Sequence, residues 1–494
     1  MTLLAVVIVA ISAAPPKLTP PIEQGFCMGL RVVSPVFLEK YTEITTDDPP
    51  YLLFNGDPAP WNPTFGKVIL CVGSSLASNY YEASGIVTPG DQECKLFFLK
   101  TDSLANLTDS AANNDDLCII ALKNGCYRKI KVSLTTLPVM ELNGEFSHVD
   151  DSDRDVLSGE GRLWGDPLNT SMQSFFVEWH VRGASAAKED KKPWKLTVKT
   201  ARGKNADANF LGLGSDDDYI LNPMNMDDSF LREKTAMDIW NGAAGDTSPN
   251  MSKGEYVELI INGKYCGLYL LQRRVDRKYL SLDKDRDILI KGISTWKANT
   301  LRDAYEIDYS PYDTDMTYDI LASLTDGFSL KVDPQSFIDT QLFLDALTAC
   351  DNTGYKNMFY ILRYTDVGYK ISLLPWDTDM SFGMVWKAAF VHRPDIAYET
   401  TIQRMEYSTV KKYCPDLEER LSCRWEELRQ TKYSDKNVLN IIRSNKALID
   451  SSGAAARDNS VWGLKHGGTD TCSSLEKFFL ARLAAMDERL LPKK

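Results

Sequence analysis

Short apolar runs separated by polar turns open the readable part of the chain: LRVVSPVF (30–37), KVILCVG (67–73), KLFFLK (95–100), LCIIAL (117–122) and YRKIKVSL (127–134). Turn chemistry such as Asn113-Asn114-Asp115-Asp116 and Asn124-Gly125 lies between them. Strands at this spacing predict a small all-β, sandwich-like accessory domain over residues 20–132, with no chemistry of its own. Near Leu137-Pro138 the runs lengthen. VMELNGEF (139–146), SFFVEWHVRG (174–183) and PWKLTVKT (193–200) predict an antiparallel sheet, and EYVELII, Asn262-Gly263 and KYCGLYLLQR predict a hairpin, since Asn-Gly supplies a type I′ turn. A helix is expected over 228–241, with Asp228 as N-cap, Gly242 as C-cap, and Phe230, Met237 and Trp240 on its apolar face. Arg232 lies off that face, either as a solvated charge or directed into a cleft. Residues 281–330 are acidic and tyrosine-rich and read as an insertion with short elements. Asp333-Pro334 starts a helix whose apolar positions follow a 3.6 period, and 416–430, 434–450 and 473–491 predict further amphipathic helices. The fold class is α+β.

The stretch Asp345–Gly383 carries the densest chemistry. MFYILRY (358–364), the turn Thr365-Asp366-Val367-Gly368 and YKISLL (369–374) predict a β-hairpin, which returns the chain to where it left. Asn357 at one end should therefore meet Asp377 and Asp379 at the other, with Asp351 nearby. Three carboxylates and an amide at one point repel unless a cation joins them, and oxygen-only donors suit Mg2+ or Mn2+. Further back, Arg182-Gly183-Ala184-Ser185-Ala186-Ala187 is a small-residue turn, followed by Lys191 and Lys192 entering a strand. Such a turn lets backbone N–H groups approach an anion that a lysine can reach; by pattern alone a solvated hairpin tip is the favoured reading. A sheet with a small-residue turn and lysines, followed by a helical half with an acid, an amide six residues on, a hairpin and Asp-x-Asp, is the order of parts in protein kinases. H-R-D-x-x-x-x-N and D-F-G are absent, so the expected fold is a divergent, bilobal protein-kinase-like one.

The net charge of −12 and the lack of a basic, aromatic-interleaved run argue against nucleic acid as a partner. No apolar stretch after the first residues is long enough to span a membrane. LLAVVIVAISAA (3–14), ending in small residues before Pro15-Pro16, is expected to be a signal peptide over 1–14, although its n-region lacks Lys and Arg; the other readings are a buried strand or a short membrane-associated helix. Ten cysteines without a C-x-x-C pair fit an oxidising compartment, with disulfides expected among the five before residue 130 and a free thiol at Cys350. The four histidines show no metal-ligand spacing, and G-x-S-x-G is absent.

Five segments in order carry a family resemblance: VRGASAAKEDKKPWKLTVK (181–199), DDYILNPMNMDDSFLRE (217–233), NGKYCGLYLL (262–271), CDNTGYKNMFYILR (350–363) and PWDTDMSFG (375–383). Together they resemble the spore coat protein H (CotH) family of atypical secretory kinases, over roughly residues 137–491. The resemblance implies phosphorylation of hydroxyl side chains on secreted, cell-surface or spore-surface proteins, using ATP with Mg2+ or Mn2+. It implies Asp351 as catalytic base and Asn357, Asp377 and Asp379 as metal ligands. Lys191 or Lys192 would contact the ATP phosphates, Arg182 and Ser185 would shape the phosphate turn, and Arg232 and Asp228 would lie near the cleft. Four residues depart from the family pattern: Arg273 stands where a Glu is usual, Glu233 where an Asn is usual, and Ala184 and Ala186 where the turn usually has polar residues. They keep open a second reading, a non-catalytic surface or coat scaffold, and a third, another metal-dependent phosphoryl or nucleotidyl transfer.

Overall fold

The computed structural model describes residues 26–46, 48–73, 85–101, 104, 106–169, 171–244, 248–294, 298–385, 404–464 and 471–492. The Leu3–Ala14 run, His392 and His466 lie outside the described residues. The architecture is α+β, with separate sheets and a helical C-terminal half. No helix among the described residues is long and apolar enough to cross a membrane.

The first strands form an eight-stranded sheet and a smaller three-stranded one. Val32, Phe54, Val68, Phe98, Ile119 and Val132 meet in one cluster between them. The larger sheet is mixed: Cys126–Thr135 runs antiparallel to Leu117–Lys123 but parallel to Lys67–Cys71. A short helix, Leu107–Ala112, lies in the same region. All ten cysteines are unpaired, so the disulfides expected among the first five are not made. Their places in the ladders explain this, since Cys118 stands opposite Lys131, Cys126 opposite Thr42 and Cys27 opposite Leu30.

The strands expected to form an antiparallel sheet close into a barrel. Its order is Val139–Val149, Asp155–Trp164, Gln173–Val181, Trp194–Lys199, Asp218–Asn222, Lys264–Arg273 and Gly254–Ile261. Closure comes from a parallel pairing of Val139–Val149 with Gly254–Ile261. Leu142, Trp179, Leu196, Tyr219, Leu259 and Leu271 are buried in its cluster. Arg273 also belongs to this barrel, where its guanidinium is bonded to the fully buried Asp216 and stacks over Tyr279.

The second half is built on a four-stranded antiparallel sheet ordered Tyr305–Tyr309, Ile288–Gly292, Met358–Thr365, Gly368–Pro375. Met358–Thr365 and Gly368–Pro375 are the expected hairpin. Ile288–Gly292 lies in the stretch read as an insertion, yet it is an inner strand. The helices Pro334–Leu347, Glu406–Tyr413, Leu417–Gln430, Asp435–Asp450, Ala454–Trp462 and Cys472–Leu490 complete this half. Asp333 caps the first of them through Gln335 N and Ser336 N, as Asp-Pro predicts. One cluster runs through Trp240, Leu289, Phe343, Tyr360, Leu373, Trp425 and Phe479.

A bulge joins the barrel to this half. The register between Gly254–Ile261 and Lys264–Arg273 slips at Leu259/Ile260, and Gly267 sits there with φ of +106°. Without a side chain at 267, Asp458 of the helix Ala454–Trp462 reaches the strand. Its Oδ2 accepts from Leu268 N at 2.7 Å and from Lys191 Nζ at 2.6 Å. A Cβ at 267 would fall 2.2 Å from that oxygen. Gly267→Ala is therefore expected to destabilise the protein by about 3 kcal/mol, because it strains the backbone and pushes Asp458 off the buried Lys191. Urea denaturation followed by circular dichroism checks this, and a midpoint within error of the wild type would contradict it.

Candidate functional site

The hairpin brings its ends together. Met358 pairs with Pro375, and Trp376 N donates to Asn357 O at 3.2 Å. At that point both strands leave the ladder through left-handed residues, Asn357 with φ of 54° and Asp377 with φ of 56°. Asparagine and aspartate tolerate this conformation better than other side-chain-bearing residues. Asn352 ties the two ends, since its buried Nδ2 donates to Asn357 O at 2.9 Å and to Trp376 O at 3.0 Å. Arg404, buried against Glu406 at 3.3 Å, donates from one nitrogen to Asn352 O and Lys356 O, both at 3.1 Å. The loop 351–357 is thus held on its backbone, which leaves the side chains of Asp351, Lys356 and Asn357 to meet one another.

Asp351 accepts from Lys356 Nζ at both oxygens, at 2.6 and 2.7 Å, and from Asn357 Nδ2 at 3.0 Å. Asp377 and Asp379 differ. Among the described residues neither carboxylate has a hydrogen bond or an ion pair. Both are surrounded by protein yet keep some contact with solvent, as side chains on a cleft wall do. Desolvation pushes both upward. For Asp377, Asp351 adds to the rise, while Arg182, Lys291 and Lys356 oppose it. For Asp379, Asp377, Glu233, Asp351 and Asp227 add to it, with no cation among the chief influences. Burial, Asp351 and Asp379 likewise push the Cys350 thiol up to about 12.

Between the two acids, Thr378 is fully buried and donates from N and Oγ1 to Glu233 Oε2 at 2.8 and 2.9 Å. Glu233, where the family pattern has Asn, thus holds the Asp377–Asp379 loop. Burial first, then Asp377, pushes its carboxyl up to about 7. Arg232 is also a loop holder: it is fully buried, its Nε donates to Ser381 O at 2.9 Å and another nitrogen lies 2.6 Å from Asp227 Oδ1. It is neither solvated nor on the cleft surface. Asp227 accepts from Arg232 N at 2.8 Å, and the helix runs Arg232–Ala243 with Leu231, not Asp228, at its N-cap. Phe230, at φ of 57°, delays its start by keeping the preceding turn out of the helical region.

The expected phosphate turn is only partly at this site. Arg182 is, with its guanidinium 5.6 Å from the centre of the Trp376 ring and Asp377 acting on it. Ser185 is exposed and starts the short turn Ala186–Lys188. Lys192 Nζ donates to Ala187 O at 3.0 Å. Lys191 is buried and engaged by Asp458, Leu268 O at 2.7 Å and Pro223 O at 2.9 Å, so it has no contact with the acids of the hairpin. It lines a cavity of about 60 Å³ together with Asp228, Asp458 and Trp462. Three residues at the site were not foreseen. Lys356 and Arg404 organise the loop, and Lys291, from the inner strand Ile288–Gly292, stands 4.1 Å from the centre of the Trp376 ring. The signal for Lys291 was the run Ile288-Leu289-Ile290, whose β-branched character fits a buried strand.

Among the described residues no three His, Cys, Asp or Glu side chains are grouped so as to hold a metal ion by themselves. The donor set still fits Mg2+ or Mn2+, because two unpartnered carboxylates lie beside an amide and these ions keep waters and take substrate phosphates as ligands. A family model described as CotH kinase protein matches residues 179–486, more than half of the chain. The protein belongs to the CotH family. No curated protein matches the chain significantly.

Glu233 supplies a test of the electrostatics. Its folded value, about 7, lies above the ordinary 4.5, so the stability it contributes is full below 4.5 and is lost as pH rises through 7. Glu233→Gln keeps an acceptor for Thr378 and removes the charge. In chelator, the variant's stability relative to wild type should rise between pH 5 and pH 8, by on the order of 1 kcal/mol. Urea midpoints at the two pH values check this; a relative stability that falls with pH would contradict it.

Proposed function

We propose that this CotH-family protein is a metal-dependent protein kinase, transferring the ATP γ-phosphate to hydroxyl side chains of exported or surface proteins. The observation that supports this best is the pair of unpartnered carboxylates, Asp377 and Asp379, held beside Asp351 and Asn357. A purely structural role gives no reason to keep them there, since buried charge without a partner is costly. In this reading the barrel and the helical half are the two lobes of a divergent kinase-like fold, with Arg182 of the barrel meeting Trp376 of the hairpin where they join. The Leu3–Ala14 run serves export.

Asp377, Asp379 and Asn357 would hold Mg2+ or Mn2+, which neutralises phosphate charge when bound. Asp351 receives the proton of the acceptor hydroxyl as its oxygen bonds to the γ-phosphorus and the bond to the β-phosphate bridging oxygen breaks. Lys356 and Asn357 fix the Asp351 carboxylate in one orientation, and Arg404 fixes the loop that carries all three. The double contact of Lys356 with Asp351 also favours the second reading, a scaffold that retains the fold, because it leaves the base already engaged.

Incubation with γ-labelled ATP and Mg2+ or Mn2+ decides between them. Wild type should transfer label to itself or to a mixture of exported proteins, and Asp351→Ala should lower transfer at least roughly a hundredfold. Asp379→Asn should abolish transfer while leaving the metal-free protein as stable as wild type or more so, since it removes a charge repelled by four neighbouring acids. No transfer together with no thermal shift from nucleotide and metal would sink the kinase reading. Label from an α-labelled nucleotide would point to nucleotidyl transfer.

A further inference from the structure

Two cations stand over the same indole with no ion pair to either among the described residues. Arg182 follows the barrel strand Gln173–Val181, and Lys291 lies in the strand Ile288–Gly292, opposite Phe359 of the hairpin. Their charged ends are 5.6 and 4.1 Å from the centre of the Trp376 ring. Among the described residues neither has a hydrogen bond or an ion pair. Both are largely desolvated, and Arg182 repels Lys291. Asp377 faces both without bonding either. Of the other acids facing Lys291, Glu306 lies opposite it in the sheet on an exposed position and favours its charge without an ion pair, and Asp308 is held by Arg274 at 3.2 Å. The ring of Trp376 supports the cations but does not neutralise them. Beside them, one and three residues along the chain, lie the equally unpartnered Asp377 and Asp379. Cations and carboxylates kept adjacent but apart leave room for a ligand that satisfies both signs, and a polyphosphate carrying a divalent metal has that chemistry.

We infer that Lys291, with Arg182, grips the polyphosphate chain of a nucleoside triphosphate, in the role expected of Lys191 or Lys192. This rests on the kinase reading for its nucleotide, while the anion site stands on its own geometry. Lys291 shares one sheet with the hairpin, and Gly292 O accepts from Asn357 N at 3.1 Å. The phosphate-holding lysine and the metal-holding acids therefore belong to one unit, to which the barrel adds Arg182. Lys191 is left to hold the barrel to the helix Ala454–Trp462.

The test is calorimetric binding of Mg·ATP, and separately of inorganic tripolyphosphate with Mg2+, to the full chain. Lys291→Met should weaken both by roughly tenfold to a hundredfold, as expected for a lost hydrogen bond to charge. Lys291→Arg should restore most of the loss, and Arg182→Gln should weaken both. Urea midpoints confirm that each variant is folded; should Lys291→Met fail to fold, Lys291→Gln and the Arg182 variant carry the test. Nucleotide and tripolyphosphate binding unchanged in folded Lys291→Met would overturn the inference, as would a wild type that binds neither. Tripolyphosphate binding that depends on Lys291, without nucleotide binding, would uphold the anion site and defeat the kinase reading. Nucleotide binding that is indifferent to Lys291 would do the reverse.

Discussion

Charge removed from water must be met by opposite charge or by hydrogen bonds. Much of this molecule is arranged around that constraint. Arg457 is joined to Glu258 at the base of the barrel, Lys191 to Asp458, Arg273 to Asp216 and Arg424 to Asp339. These pairs tie segments far apart in the chain, so they fasten barrel, helices and sheets together. Around Trp376 the same rule is suspended. Asp377 and Asp379 on one side, and Arg182 and Lys291 on the other, hold their charges close without closing an ion pair. Neighbouring structure enforces this separation: Glu233 and Arg232 hold the acidic loop from beneath, and the sheet fixes Lys291.

The part of the site that follows from local order was legible in the sequence. A hairpin with turn residues at its tip has its ends adjacent by geometry, so Asn357 and Asp377 could be placed together from spacing alone. The α+β class and the helix capped by Asp333 were legible for the same reason, since each rests on residues a few positions apart. Partnerships across the chain were not. Lys191 looked available because nothing near it in sequence is acidic enough to claim it except Asp190 and Glu189. Its actual partner, Asp458, lies 267 residues on, and no local pattern announces such a pair. Lys291 was hidden by the opposite effect. Its strand is short and apolar, sits in a polar surrounding, and is ordered by pairing on both edges.

Two of the departures from the family pattern acquire physical explanations. Arg273 completes a buried pair inside the barrel and stacks on Tyr279, so its place in this chain is architectural. Glu233 is harder on the site, because it adds a further acid near Asp377, Asp379 and Asp351 while supplying the acceptor that Thr378 needs. An amide would meet the second demand without the first. The chain therefore carries more negative charge at this point than the hydrogen bonding requires, which raises the charge that any bound ligand must balance.

The left-handed backbone at Asn357 and Asp377 has a consequence for how this site can change over time. A position with φ near +55° admits Asn, Asp or Gly readily and most other residues at a cost of roughly 1 kcal/mol or more. Glutamate offers the same carboxylate as aspartate, yet at 377 it would bring strain as well as extra reach. Drift at these two positions is thereby channelled towards one another's chemistry, amide for acid and acid for amide. A lineage that gives up the charge at 377 has a short path to asparagine, which preserves the shape of the loop after its chemistry is gone.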